Sequence, residues 1–235
     1  MVVARIISFV VGPLDTNCYL VYDENEKKGI VIDPGGDEEE LSELLTWIDR
    51  LKLDIVAVIA THGHFDHILG VEYVVKELGA PFYMNPKDLA IARDSARWAT
   101  AFGYRKPSIP SSFSNLVDGT KIVFGSLKAV AIETPGHTPG STCIYIPNSN
   151  ILFTGDTLFA GTVGRTDLPG GSHSELMKSL AKLFTSLPLE TIVYPGHGPQ
   201  TSLLRELRAN PFVEDSLRVH GRGEDGRRVD EERSS

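Results

Sequence analysis

Apolar residues along the chain follow two periods, which predict strands and helices in alternation. Short apolar or alternating runs predict strands at 5–10, 18–22, 29–32, 55–60, 121–124, 127–133, 142–146, 151–155 and 191–194. Helical spacing predicts helices at 38–51, 68–78, 86–102, 174–187 and 201–208. Strands come in pairs rather than in strict strand–helix–strand order. We therefore predict an α+β fold in which outer helices cover two mixed sheets, giving four layers.

One domain accounts for most of the chain. We predict a catalytic domain at 1–213 and a charged, disordered tail at 214–235. Residues 221–235 contain five acidic residues and four arginines, with glycines between them. Such a segment has too little apolar surface to offset the entropy of ordering.

Charge and cysteine content exclude several classes of protein. The net charge is −8 and the longest basic run is the pair Arg227-Arg228, so we expect no nucleic-acid partner. Cys18 and Cys143 lie far apart, which excludes a disulfide scaffold or thiolate metal site and fits the reducing cytoplasm. Both are expected to be small buried residues. Without an apolar run of roughly 18 residues, we predict no membrane span.

The strand predicted at 55–60 leads into the densest polar cluster of the chain. The run Thr61-His62-Gly63-His64-Phe65-Asp66-His67 carries three histidines and one aspartate. Histidine is the commonest metal ligand, and a carboxylate beside it suits a divalent cation. The alternation at 62, 64 and 66 favours an extended loop over a helix. The run therefore predicts a metal site.

Three more polar clusters follow later predicted strands. They are the Gly/Pro-rich turns that contain His137, Asp156 and His197. Loops at strand ends are where a rigid scaffold presents reactive groups. These residues complete the ligands for two ions. A three-histidine site takes His62, His64 and His137, and a second site takes Asp66, His67 and His197. Asp156 can bridge them, because one carboxylate has two oxygens.

These residues resemble the signature of the metallo-β-lactamase superfamily, an H-x-H-x-D-H run followed by separate His, Asp and His residues. Segments 12–19, 134–140 and 164–171 are similar to the short glyoxalase II-like (hydroxyacylglutathione hydrolase-like) branch. The resemblance covers residues 3 to 213. It implies an αββα sandwich with the metals at one edge between the sheets. It also implies that Asp33 supports the metal loop without binding metal.

The resemblance further implies hydrolysis of a small-molecule thioester such as S-lactoylglutathione, through a hydroxide that bridges two divalent metals. Zinc is the expected metal, and iron or manganese also suits these ligands. Asp66 would steer the hydroxide or accept its proton. Arg165 falls where longer enzymes of this branch contact glutathione, although it also lies close enough to Asp167 to form an ion pair.

The same residues also fit other functions. The run Gly164-Arg165-Thr166-Asp167 also occurs in the persulfide dioxygenase branch, which would hold one iron with His62, His137 and Asp156. A lactonase or nuclease of the same superfamily and a non-catalytic metal-binding module are further alternatives. Trp98 lies on a predicted helix and is expected in the core or at an interface.

Overall fold

Two six-stranded sheets face each other and helices cover both outer surfaces. The computed structural model describes residues 3–220. Its four layers confirm the predicted α+β sandwich. The strand order also confirms mixed sheets, because each sheet contains both parallel and antiparallel pairs.

The first sheet runs in sequence order, β1 to β6. Its strands are β1 Arg5–Val11, β2 Thr16–Asp23, β3 Lys28–Ile32, β4 Asp54–Ile59, β5 Phe82–Met84 and β6 Ser114–Asn115. The pairs β1–β2 and β2–β3 are antiparallel, whereas β3 to β6 are parallel. Parallel neighbours direct the ends of β3 and β4 to the same edge, where the histidine run begins.

The second sheet has the order β14-β13-β10-β9-β8-β7. Its strands are β7 Lys121–Phe124, β8 Leu127–Glu133, β9 Thr142–Ile146, β10 Ile151–Gly155, β13 Ile192–Pro195 and β14 Thr201–Ser202. A short hairpin, β11 Leu158–Phe159 and β12 Thr162–Val163, follows β10. Only β10 and β13 pair in parallel, so their ends also meet at one edge.

Eight helices lie outside the sheets in the described residues. They are α1 Ser42–Leu51, α2 Phe65–Ile68, α3 Val71–Leu78, α4 Leu89–Asp94, α5 Ala96–Ala101, α6 His173–Ser186, α7 Leu203–Ala209 and α8 Pro211–His220. The helix predicted at 86–102 is divided into a 3-10 turn, α4 and α5. Ser95 separates α4 from α5, and its hydroxyl donates to the carbonyl oxygen of Gly63.

The core has three apolar layers. Ile30 and Ile32 of β3 point between the sheets, whereas Val31 points to the layer under α1 and α3. Both faces of this strand are therefore buried, which explains its continuous apolar run. The third layer packs α6, α7 and α8 against the second sheet, with Leu180 and Val213 fully buried.

Helix α8 corrects the predicted domain boundary. The expected tail begins at residue 214, but the helix continues to His220 and buries Ser216. Leu217 packs against the third core layer. Charged residues on the exposed side of α8 mask this short apolar face in the sequence. The rest of the predicted tail, 221–235, lies outside the described residues.

Among residues 3–220, no helix combines the length and apolar character that crossing a bilayer requires.

Truncation tests the corrected boundary. A chain that ends at 213 loses the packing of Leu217 and most of α8, so its free energy of unfolding should fall by about 1–3 kcal/mol. A chain that ends at 220 should match the full-length protein. Denaturant unfolding measures both, and equal stability of the two truncated chains would restore the boundary at 213.

Candidate metal centre

The histidine run leaves the end of β4 and changes conformation halfway along. His64 is extended, with φ −72° and ψ 147°, whereas α2 begins at Phe65. The amide of His67 donates to the carbonyl oxygen of His64 at 3.1 Å. The prediction of an extended loop is therefore wrong from Phe65 onward. Successive residues of a helix point about 100° apart around its axis. The side chains of Asp66 and His67 can therefore point to different metal positions.

Three histidines form the first donor set. Nδ1 of His64 lies 3.1 Å from Nε2 of His62 and 2.9 Å from Nε2 of His137. His62 and His137 are buried, and His64 is half-buried. The three nitrogens meet although 73 residues separate His64 from His137. The structure thus brings together the first set that the sequence predicts.

Asp66, His67 and His197 form the second donor set. Oδ2 of Asp66 lies 3.5 Å from Nε2 of His67 and 3.3 Å from Nε2 of His197. The two imidazole Nε2 atoms are 3.3 Å apart. All three atoms therefore converge on one point beside the first set.

Asp156 lies between the two sets. Its Oδ2 is 3.5 Å from Nε2 of His137, and its Oδ1 is 3.3 Å from Nε2 of His67 and 3.6 Å from Nε2 of His197. The buried Oδ1 has no hydrogen-bond partner among the described residues. The two carboxylate oxygens thus face different donor sets, and a buried unsatisfied oxygen is costly unless something binds it.

In neutral His137 and His197, the ring nitrogen that faces away from the cluster (the outer one) carries the proton. The nitrogen that faces the cluster (the inner one) therefore carries a lone pair. Nδ1 of His137 donates to the carbonyl oxygen of Arg165 at 2.7 Å, and Nδ1 of His197 donates to that of Leu14 at 3.0 Å. A neutral imidazole has one N–H, so each inner Nε2 is an acceptor. Converging acceptors cannot bond to one another. These donors therefore fit divalent cations, which bind imidazole and carboxylate groups.

Burial and charge set the protonation states of the cluster. Burial lowers the pKa of His62 well below its usual value and lowers the pKa of His64 to about 4. Burial alone would also lower the pKa of His67, but the carboxylates around it, first Asp33, raise that pKa well above the usual value. Burial would raise the pKa of Asp156, yet nearby imidazoles, first His67, lower it. His62 and His64 are therefore neutral, as metal ligands must be.

Asp33 holds the histidine run from behind. Its Oδ1 accepts from the amide of Thr61 at 2.7 Å, and its Oδ2 accepts from the hydroxyl of Thr61 at 2.8 Å. Nδ1 of His67 lies 2.9 Å from Oδ2 of Asp33. Thr61 Oγ1 in turn lies 3.2 Å from Nδ1 of His62. Asp33 thus orients one histidine of each set, directly or through Thr61, in the position expected of a supporting residue.

The first sheet also holds the loop that carries His197. The side-chain amide of Asn17 donates to the carbonyl oxygens of Pro195 and Gly198 at 3.0 and 2.9 Å, and the hydroxyl of Tyr19 donates to Pro195 at 2.6 Å. A Cβ at Gly196 would collide with Oδ1 of Asp156. The residue before His197 must therefore be glycine, so that the backbone can pass the cluster.

Asp88 is a residue of the site that the sequence analysis missed. This buried carboxylate accepts from the amides of Gly63 and Gly140 at 2.8 and 2.6 Å, and from the hydroxyl of Thr138 at 2.7 Å. It therefore ties the loop of His62 and His64 to the loop of His137. Burial raises its pKa, and these hydrogen bonds oppose the shift. Its position within a predicted helix gave no signal of this role.

A cavity of about 720 Å³ opens beside the cluster. Arg165 lines it, and its guanidinium makes two 2.7 Å hydrogen bonds to Asp167. Trp98 also lines the cavity and is half exposed, so of the two expected positions the core is wrong and an interface stays a prediction. Cys18 and Cys143 are free and buried, as expected, and burial raises the pKa of both thiols.

The fold and the converging donors define a metal-binding protein of αββα architecture. Residues 11–197 match the model of the metallo-beta-lactamase superfamily, and the chain belongs to that superfamily. Its members are mostly hydrolytic metalloenzymes. The cluster of histidines and aspartates is the metal-binding site of this chain.

Curated relatives match nearly the whole chain. An uncharacterized protein of Aquifex aeolicus (strain VF5) is 37% identical over 207 residues, which cover 88% of this chain and 96% of that protein. The hydroxyacylglutathione hydrolase GloC of Haemophilus influenzae (strain ATCC 51907 / DSM 11121 / KW20 / Rd) is 33% identical and covers 84% of this chain and 92% of its own.

Solved structures share the fold closely. BLEG-1 B3 metallo-beta-lactamase is 34% identical with a TM-score of 0.79, and the match covers 89% of this chain and 99% of that one. TTHA1623 in a di-iron-bound form is 40% identical with a TM-score of 0.77, covering 88% and 99%. ETHE1 from Myxococcus xanthus is 25% identical with a TM-score of 0.73, covering 97% and 95%.

Removing the Asp88 carboxylate should loosen both metal loops. In Asp88→Ala, three donors lose their acceptor, and we expect metal affinity to fall about 10- to 100-fold, the range for residues that orient ligands. Competition with a chromophoric chelator measures the affinity, and circular dichroism confirms the fold. Exposed Asp54→Asn is the control. Unchanged affinity in Asp88→Ala would show that the loops keep their geometry without this carboxylate.

Proposed function

We propose that this protein is a metal-dependent hydrolase of thioesters, and that S-lactoylglutathione is the first substrate to assay. One observation carries the proposal: the two oxygens of Asp156 face two different donor sets. A shared carboxylate between two cation positions is the arrangement of two-metal hydrolytic sites.

The residues of the cluster would hold two cations. His62, His64 and His137 would hold one cation, and Asp66, His67 and His197 would hold the other, with Asp156 shared. When bound, such cations lower the pKa of water and act as Lewis acids toward a carbonyl oxygen. Zinc, iron and manganese all suit these ligands. Elemental analysis of the purified protein identifies the metal.

The proposed reaction needs little acid catalysis from side chains of the protein. Water adds its oxygen to the carbonyl carbon, the C–S bond breaks, and a carboxylic acid and a thiol leave. Because a thiol has a pKa of about 8.5, the thiolate departs without a strong acid. Asp66 is buried, and burial alone would raise the pKa of its carboxyl group. The neighbouring His67 and His197 lower that pKa instead, so Asp66 is ionised at neutral pH. It lines the cavity and is the chain's candidate for orienting the attacking water.

The relative from H. influenzae supports this choice of substrate class, because it is named as a hydroxyacylglutathione hydrolase and matches over most of both chains. The protein of Bacillus subtilis (strain 168) named as a probable metallo-hydrolase, 31% identical over 206 residues, supports the broader reaction class.

An iron-dependent persulfide dioxygenase is the second candidate. The likeness to TTHA1623, whose structure holds two irons, favours iron as a possible metal. Against a site with one iron, the second donor set of Asp66, His67 and His197 is fully assembled here. Parallel assays of S-lactoylglutathione hydrolysis and persulfide-dependent oxygen uptake separate the two candidates.

Asp156→Ala removes the shared carboxylate. We expect metal content to fall from two ions per chain to one or none, and hydrolysis to fall by at least about 100-fold, because one ion alone orients water less well. Elemental analysis and thiol release measure the two effects. Asp54→Asn is again the control. Full activity in Asp156→Ala would sink the two-metal hypothesis.

Variants of Arg165 and Asp167 test whether the rim of the cavity contacts the substrate. If Arg165 binds a glutathione carboxylate, Arg165→Ala should raise KM for S-lactoylglutathione more than it lowers kcat. Asp167→Asn should lower KM, because it releases the guanidinium from its present partner. Steady-state kinetics measure both. An unchanged KM in both variants would remove Arg165 from the substrate site.

A further inference from the structure

The cavity beside the metal cluster is lined by both reactive and apolar side chains. Its polar lining includes His64, Asp66, His137, Asp156 and His197. Its apolar lining, here called the apolar wall, includes Leu14, Phe65, Ile91, Trp98, Phe102 and Leu168. A substrate that fills the cavity therefore contacts hydrocarbon beside the cluster.

The apolar wall leaves large side chains in contact with solvent. Trp98 is 51% exposed, Phe102 49% and Leu14 41%. Phe102 stacks on Phe65 with ring centroids 5.7 Å apart and 24° between the planes, so the surface is packed before any ligand arrives. Trp98 and Phe102 are four residues apart, which places them on one side of α5 and its end. A concave apolar surface beside reactive groups is typical of a ligand site.

The cations that line the cavity are already paired. Lys87 contacts Glu133 at 2.8 Å, Arg97 contacts Asp94 at 3.8 Å and Arg165 contacts Asp167 at 2.7 Å. Within residues 3–220, each basic residue of the cavity therefore has a carboxylate beside it. The rim carries little net positive charge with which to attract an anionic substrate group.

We propose that the preferred substrate carries a bulky apolar group, an aliphatic chain or an aromatic ring, that lies on the apolar wall beside the scissile bond. This inference rests on the proposed thioester hydrolysis and names its substrate class. The apolar group can belong to the acyl half or to the thiol half. Either source gives the same contact with Trp98 and Phe102.

Chain-length series distinguish the two sources. One series varies the acyl group from acetyl to octanoyl on N-acetylcysteamine, a small neutral thiol. The other series keeps the acetyl group and varies the thiol from N-acetylcysteamine to benzyl mercaptan and octanethiol. In the series that fits the wall, kcat/KM should rise about threefold to fourfold for each buried methylene. S-lactoylglutathione should be a poorer substrate than the best member.

Variants of the apolar wall link this preference to its residues. Trp98→Ala and Phe102→Ala should lower kcat/KM for the longest substrate about tenfold more than for acetyl N-acetylcysteamine. Val123→Ala removes a side chain of similar exposure on β7 and should change neither. Thioester hydrolysis that is independent of chain length in both series would overturn the inference and leave the proposed function standing.

A binding measurement tests the wall without turnover. The chain has two tryptophans, so Trp47→Phe makes Trp98 the single tryptophan, whose emission is excited selectively at about 295 nm. S-octyl N-acetylcysteamine, a thioether that cannot be hydrolysed, should shift its emission in a saturable way, and the S-ethyl thioether at equal concentration should not. Absence of the shift would overturn the inference. A shift without hydrolysis of any thioester would keep the apolar site and overturn the proposed function.

Discussion

The hydrogen bonds of one buried carboxylate, Asp33, hold the metal loop in place. Asp33 follows β3, Thr61 follows β4 and His67 lies in α2 directly after it, so parallel pairing of the two strands brings them together. Asp33 itself adopts φ +51°, which turns the chain away at the end of the strand. Its backbone strain is offset by three hydrogen bonds, two with Thr61 and one with His67. The position of two ligands therefore depends on a residue that need not touch metal.

Convergence of donors is the second constraint. Strand ends from both sheets deliver the four loops, and three of them are tied by side chains: Asp88 joins the His62 loop to the His137 loop, and Asn17 and Tyr19 join β2 to the His197 loop. A cation can bind all of these donors only while the loops hold them together, which couples metal affinity to the stability of these loops.

The cluster and the cavity supply different parts of the function. Reactive groups come from strand ends in the sandwich, whereas the apolar wall comes largely from α4, α5 and the loop after β12. Relatives that share the sandwich can thus keep the same metal ligands and differ in the wall. Asp167 pairs with Arg165 and so offsets the positive charge of that guanidinium at the cavity.

The amino-acid sequence alone determined the periodic elements, the four layers and the seven candidate ligands, because apolar periodicity and a dense histidine run are local signals. It did not reveal α8, whose short apolar face is masked by charge, or the helical turn at Phe65. Only the tertiary structure decided that Asp88 joins two loops and that Trp98 faces a cavity. Those properties arise from contacts between distant segments, and a side chain's partners there depend on packing rather than on its sequence neighbours.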